Sequence, residues 1–459
     1  MRAIPLALIA TALLVSGVDA EELAGSVQKP SIDVYAQPAF GTATIATLKR
    51  DTAVRISAQQ GLWYELQLPT GATGYVRVNE VRVSPAGTAE GEASSHVLLS
   101  GKAGKGRVTE TAGVRGIDES DLKSAAYDQA QLDAMVGHRV EDAAAAAYAG
   151  TQGWQATEVP YATEARYRKS TGASASAPSR SASASAVGDV LGALGSNVGA
   201  LFGGASKAIP KSEEELAAEE LALGPQIAGR VLGARPLWND ASAQGRVNRV
   251  GRWVAAQTSR PELPWTFGVI DTPEVNAFAA PGGYILIARG LYELLSSDSE
   301  LAAVLGHEIS HCVQRDHYNV IRKQEMASAG KDVALSNVSA GTGSVAGNYA
   351  RQYAERHGAT ILLTSLDRAA EYRADEAAEI YLARAGMNPL ALYALLQKMA
   401  ALGNQSARLA QLYKTHPALD ARMDRIDRRG HGVLEPYLSR ECVGGGAGAG
   451  VAIQPPTLG

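Results

Sequence analysis

His307 and His311 bracket Glu308 in the run His307-Glu308-Ile309-Ser310-His311, and this spacing suits metal chemistry. Four residues advance a helix by about 400°, so the two imidazoles leave one face within about 40° of each other and can offer nitrogen to one cation. Glu308 stands about 100° from His307, near enough to reach a water on that cation without ligating it. Two neutral imidazoles leave zinc short of the three protein ligands that catalytic sites carry, so a third is needed. His317 stands six residues after His311, but Gln314 occupies the midpoint where a glycine would break the helix. If the helix continues, His317 points about 240° away from His311. The other candidate is Glu371, which shares a face of a later, alanine-rich helix with Asp375, four residues on, in the manner of a ligand and an outer carboxylate. Taken alone, that pair reads rather as an exposed acidic face paired with Arg368 or Arg373.

These groups need elements to hold them. Ser297 and Glu300 predict a capping box that opens the helix bearing His307, through Leu301, Val304, Leu305 and Ile309. Ser212 and Glu215 predict a second box that starts a helical domain, and another helix is expected over about residues 241–257. Two strand-like runs follow, Thr266–Ile270 and Tyr284–Ala288, with Pro281-Gly282-Gly283 as the turn signal of a hairpin between them. Upstream, short runs over residues 32–35, 53–57, 62–68 and 74–78 predict a small β-barrel. Residues 118–150 are helical in composition, and residues 170–186, mostly Ser and Ala, read as a linker. Gly195, Gly199 and Gly203 lie among apolar residues at a spacing that permits close helix approach; Asp189 and Asn197 argue for a packed or surface-lying helix over a spanning one. Residues 444–450 are glycine-rich and read as a disordered tail.

At 459 residues the chain exceeds one hydrophobic core, which predicts several domains. A net charge of -4 with both signs intermixed offers no basic stripe, so nucleic acid is not an expected partner. Met1-Arg2, an apolar stretch and then Val18-Asp19-Ala20 read as a removable secretory signal, too short to cross a bilayer, with no transmembrane span after its removal. In an oxidising compartment Cys312 and Cys442 can pair, or remain as a buried and a free thiol.

Residues 29–83 resemble the bacterial SH3-like domains, in Val34-Tyr35, Gly61-Leu62-Trp63-Tyr64 and Gly74-Tyr75-Val76. That resemblance implies a cell-wall or protein ligand, the alternative being a spacer whose Trp63 and Tyr64 fill a core. Residues 212–429 resemble the HtpX- and BepA-like gluzincins, peptidase family M48, in the run from Asn276 to Gly283, in His307 to His311, in Glu371 with Asp375, and in Thr415-His416-Pro417 followed by Arg422. The resemblance implies one Zn2+ per chain on His307, His311 and Glu371, and Glu308 as general base. It places Asp375 behind a histidine and His416 over the open side of the metal, and it implies an endopeptidase for misfolded or unassembled polypeptides. Asn276, Tyr284 and Ile285 are expected to align an extended substrate, if their strand is a sheet edge. The expected fold is multidomain, a small all-β SH3-like barrel followed by a mainly α zincin-type metallopeptidase domain with a small β-sheet. Its divisions are a signal peptide over 1–20, the SH3-like domain over 24–85, a helical connection over 86–169, a Ser/Ala- and Gly-rich linker over 170–211, the peptidase over 212–430 and a flexible tail over 431–459. The expected location is outside the cytoplasm, in the periplasm, among envelope proteins. A binding protein with a closed structural metal site, His416 supplying the fourth ligand, and a peptidoglycan peptidase are the competing readings.

Overall fold

The computed structural model describes residues 23–84, 117–161, 163, 212–329, 345–403 and 406–439. The expected signal peptide, the linker with Gly195, Gly199 and Gly203, Cys442 and the glycine-rich tail lie outside them.

The first unit is a seven-stranded antiparallel, barrel-like sheet: β1 Leu23–Val27, β2 Ser31–Tyr35, β3 Thr44–Lys49, β4 Ala53–Gln60, β5 Trp63–Gln67, β6 Thr73–Arg77 and β7 Val81–Val83. Its strand order is β3-β2-β6-β5-β4-β1-β7. Alternation sets the register. In β2, Ile32 and Val34 point inward while Ser31 and Asp33 face water, and β4 repeats the pattern with Val54 and Ile56. The four runs legible in the sequence correspond to β2, β4, β5 and β6; β1, β3 and β7 are short or weakly patterned and find their partners only in the assembled sheet.

The remainder is mainly helical. Its helices are α1 Glu119–Ser124, α2 Gln129–Gly137, α3 Asp142–Thr151, α4 Glu213–Ala234, α5 Ala241–Ala255, α6 Arg289–Tyr292, α7 Asp298–Val313, α8 Asp316–Ala329, α9 Val345–His357, α10 Arg368–Arg384, α11 Leu390–Ala401, α12 Leu412–Thr415, α13 Leu419–Arg429 and α14 Glu435–Leu438. Three strands, β8 Thr266–Ile270, β9 Ala277–Ala280 and β10 Tyr284–Ala288, form one small sheet. α7 runs through the middle of this body, buried from Ser299 to Val313, and packs on α5, α10, α11 and β9. α1 and α2 contribute Leu122, Leu132 and Met135 to the core under α4, and Val159 and Tyr161 join the core around α7. Residues 117–161 therefore pack as part of the helical body.

Three local expectations are corrected. β8 and β10 pair in parallel, so they form no hairpin; the Pro281-Gly282-Gly283 turn instead joins β9 to β10, with Gly282 at φ 74° and Gly283 at φ 90°. β10 is consequently central in the order β8-β10-β9, its backbone hydrogen-bonded on both sides. Tyr284 and Ile285 thus do not lie on a sheet edge, and the outer strand beside them is β9. Finally, residues 432–438 form a 3-10 turn and α14 with Leu434 buried, so the ordered chain extends past 431.

The β-domain and the helical body share a core. Leu390, Ala394 and Ala401 of α11 pack with the inward residues of the β-sheet. Among them the buried Gln397 accepts from the Val83 amide at 2.9 Å and donates to the carbonyls of Val78 and Val81. Truncating that side chain leaves at least the Val83 amide unpaired in a dry interface. Gln397→Ala is expected to destabilise the protein by about 2 kcal/mol. Denaturant unfolding measures this, and an unchanged midpoint would show that the docking does not depend on Gln397.

Candidate metal centre

Ser297 caps α7 by accepting from the Glu300 amide at 3.2 Å. The Glu300 carboxylate does not complete the expected box; it accepts instead from the Ser296 amide and from Lys398 of α11, a buried ion pair that pins the start of the helix. Three turns on, Gly306 lies against Ala378, where an added Cβ would stand 3.3 Å from the Ala378 Cα. The small residues on α10 are what let the two helices approach. That approach carries Glu371 and Asp375 to the histidine face of α7.

One ligand atom each from His307, His311, Glu371 and His416 lies within 4.8 Å of every other. The hydrogen bonds on the far side of each ring decide what faces inward. Asp375 lies 3.0 Å from His307 Nδ1, and Asp316 lies 2.8 Å from His311 Nδ1. A carboxylate accepts, so both Nδ1 atoms carry the proton and both Nε2 atoms present lone pairs. Those two Nε2 atoms are 3.2 Å apart. Thr415 Oγ1 is within reach of the Gln411 and Leu412 carbonyls and lies 2.8 Å from His416 Nδ1, which holds the ring with its Nε2 toward the cluster. His416 Nε2 stands 3.6 Å from Glu371 Oε2, which has no hydrogen-bond partner. Glu371 Oε2 also stands 3.5 Å from His307 Nε2, and Oε1 3.8 Å from His311 Nε2. Imidazole lone pairs and a carboxylate facing one another in a buried space repel unless a cation sits among them. The donor set therefore fits a divalent metal.

The electrostatics agree. Burial and then Arg422 push His307 down, yet its bond to Asp375 and the Glu371 carboxylate beside it outweigh them and bring it up to about 9, so that a proton takes the place among these donors when no metal does. Burial raises Glu371, but His416, His307 and His311 overcome it and hold its carboxyl well below the usual range. The site draws positive charge. Burial lifts the Glu308 carboxyl above its ordinary value, against His307 and His311. His416 is lowered to about 3, first by burial, and so stays a neutral donor.

Behind the donors, Arg422 of α13 donates through Nε to Asp375 Oδ2 at 3.0 Å and through Nη2 to Oδ1, completing a chain from guanidinium to carboxylate to imidazole. Asn276 lies at the start of β9, buried, with neither atom of its side-chain amide paired, while Ala277 and Ala279 line the cavity. Tyr284 and Ile285 do not line it.

The assumption that α7 simply continues past Gln314 fails. Arg315 adopts φ 58°, the left-handed conformation expected only of a glycine, and α8 sets off in a new direction. His317 therefore lines the cavity, its ring centroid 5.9 Å from that of His311, yet it is not in the donor cluster. The same kink delivers Asp316 to His311. Nothing in residue type marked Asp316; its nearness to His311 depends on Arg315, and no sequence pattern flags a left-handed arginine.

Metal titration tests the set. Asp316→Ala and Asp375→Ala are expected to weaken divalent-metal affinity by about 10- to 100-fold each, and Glu371→Ala by more. His317→Ala should leave it unchanged. Loss of affinity in His317→Ala with retention in Glu371→Ala would exchange the two residues' places.

Residues 241–430 match the family model described as Peptidase family M48. The chain is similar to the Beta-barrel assembly-enhancing protease of Escherichia coli (strain K12), 27% identical over 213 residues that cover 45% of this chain and 42% of that protein. It is also similar to the Mitochondrial metalloendopeptidase OMA1 of Schizosaccharomyces pombe, 27% identical with 39% of this chain and 51% of that protein covered. A third similarity, to the Metalloprotease LoiP of Escherichia coli (strain K12), is 27% identical over 36% of this chain and 63% of that protein. The chain thus spans about half the length of the curated relatives it matches. The region of likeness contains α5 to α13 and every member of the donor cluster, so it is the helical body of this chain that is similar to peptidase family M48.

Proposed function

We propose that this chain is an exported, zinc-dependent endopeptidase of the bacterial envelope that cuts misfolded or unassembled proteins. The observation that carries the reading is the mutual facing of His307 Nε2, His311 Nε2 and the unpaired Glu371 Oε2 beside the buried carboxylate of Glu308. His307, His311 and Glu371 would hold the ion. Zinc held by two imidazoles and a carboxylate supplies Lewis acidity, activating a water near neutral pH and polarising a carbonyl. Glu308 then takes the proton of the attacking water and returns it to the leaving amine, and its raised proton affinity suits both transfers. Asp375, held by Arg422, and Asp316 keep the two rings turned.

The substrate backbone is assigned to the outer strand β9, where an extended chain can add along the free edge. Support for proteins as substrates comes from the relatives, whose names are those of proteases. No described helix is long and apolar enough to cross a membrane. The β-domain is assigned a wall or protein ligand on its resemblance to SH3-like domains.

A latent state of the same enzyme is favoured by His416. With its Nε2 in the donor cluster, a bound metal would have four protein donors. Hydrolysis needs an open position, so the Thr415-His416 segment must move.

Cleavage of casein or a quenched-fluorescence peptide tests both ideas. Glu308→Gln is expected to abolish turnover with about one zinc still bound per chain, because the base is not a ligand; turnover retained would sink the assignment. Removing the cover with His416→Ala should raise basal cleavage. A lowered kcat with zinc intact would instead make His416 a donor to the transition state, and wild-type rates would leave it a plain loop residue.

A further inference from the structure

His317 is a buried imidazole that the metal does not use. It makes no hydrogen bond among the described residues: Nδ1 is fully enclosed without a partner, and the ring's contact is with His311. An orphaned polar group in the interior carries a desolvation cost that an apolar side chain of similar size would not incur.

The chain goes to some lengths to put it there. Arg315 at φ 58° carries backbone strain, since a side chain crowds the left-handed conformation. It is held by Glu220, which is 0% exposed and accepts from Arg315 Nε at 2.8 Å, and by Glu213, which accepts from Nη1 at 2.7 Å. Arg260 grips both Glu220 oxygens and also donates to the Cys312 carbonyl at 3.0 Å, on the last turn of α7. Asp316 gains a partner from this kink; His317 gains an open-ended place in the cavity wall. There it faces Phe278 of β9, Leu362, Leu366 and Thr364, on the His311 side of the cluster, whereas His416 adjoins His307.

We infer that His317 is a specificity-determining residue that hydrogen-bonds an uncharged polar side chain of the substrate next to the scissile bond. A neutral imidazole has one donor and one acceptor, which matches a Ser or Thr hydroxyl or an Asn or Gln amide. Apolar walls suit the carbon skeleton of such a side chain. The nearby carboxylates of Glu308, Glu371 and Asp316 exclude an acidic one, while Asp316 is already paired with Arg373 and Glu371 would be taken by the metal, which weakens the pull on a basic one. The subsite widens when the Thr415-His416 cover moves, since the cavity as it stands holds only about 10 Å³.

This inference rests on the peptidase reading, and the test separates the two. Matched peptides carrying Thr or its isostere Val at each position flanking the bond that the zinc-loaded wild type cuts are compared by kcat/KM. The wild type is expected to prefer Thr at one position by about tenfold or more, because a site built to pair a hydroxyl rejects the analogue lacking it. His317→Leu should bring that ratio near one with zinc content unchanged, and His317→Gln, which keeps a donor and an acceptor, should restore part of it. Binding of the same peptides to Glu308→Gln, with and without His317→Gln, reads the preference apart from turnover. An unchanged Thr/Val ratio in His317→Leu, or in His317→Gln a ratio near one if the leucine variant does not fold, overturns the proposal. Loss of zinc in both variants overturns it too, by making His317 a ligand. A zinc-loaded wild type that cuts no peptide overturns the peptidase reading itself, and this inference with it.

Discussion

Lone pairs that face each other in a dry interior are the constraint on which the helical body depends. Asp375 and Asp316 each fix an Nδ1 proton, so the rings of His307 and His311 turn their unprotonated nitrogens toward Glu371, and Thr415 holds the His416 ring against the same carboxylate. Without a cation that arrangement is repulsive, and the surrounding packing has to hold it. Gly306 against Ala378 sets the separation of α7 and α10, the Lys398–Glu300 pair pins one end of α7, and the Arg315 kink with its Glu220 clamp ends the other. Each of these contacts is buried, where charge interactions are strongest and unpaired groups most costly.

The β-domain reaches the same constraint from behind. Arg82 of β7 pairs with Asp424 and Asp427 of α13 at 3.1 and 2.8 Å, and its guanidinium lies over the Tyr393 ring. The other face of α13 presents Arg422 to Asp375. One helix, following directly on the Thr415-His416-Pro417 segment, thus touches the small β-sheet domain on one side and the donor cluster on the other. Gln397 and the shared core around Ala394 make that contact part of the folded interior.

Much of this was legible in the residues. The positions of His307, Glu308 and His311 follow from helical geometry alone, because i and i+4 always share a face. Ser212 and Ser297 marked helix starts, since a capping hydroxyl acts on amides two or three residues away. Alternation over residues 32–35 and 53–57 announced strands for the same local reason. Glu371 and Asp375 advertised only a common face; the family resemblance, not their spacing, singled them out.

What the sequence by itself determined is short-range: which residues share a helix face, where helices begin, and which runs alternate. Tertiary structure decided what required knowing who lies across a gap. It made β9 and not β10 the outer strand, because β8 pairs with β10 in parallel at a distance of some eighteen residues along the chain. It sent the Glu300 carboxylate to Lys398 and not to its own cap, since a buried ammonium outcompetes one more amide. It brought Asp316 to His311 and His317 into the cavity by a left-handed arginine, a conformation that nothing local favours and that two distant glutamates stabilise. Local patterns report backbone periodicity, whereas pairings across the core report the balance of burial and charge over the whole body, and only the folded chain brings those groups within reach.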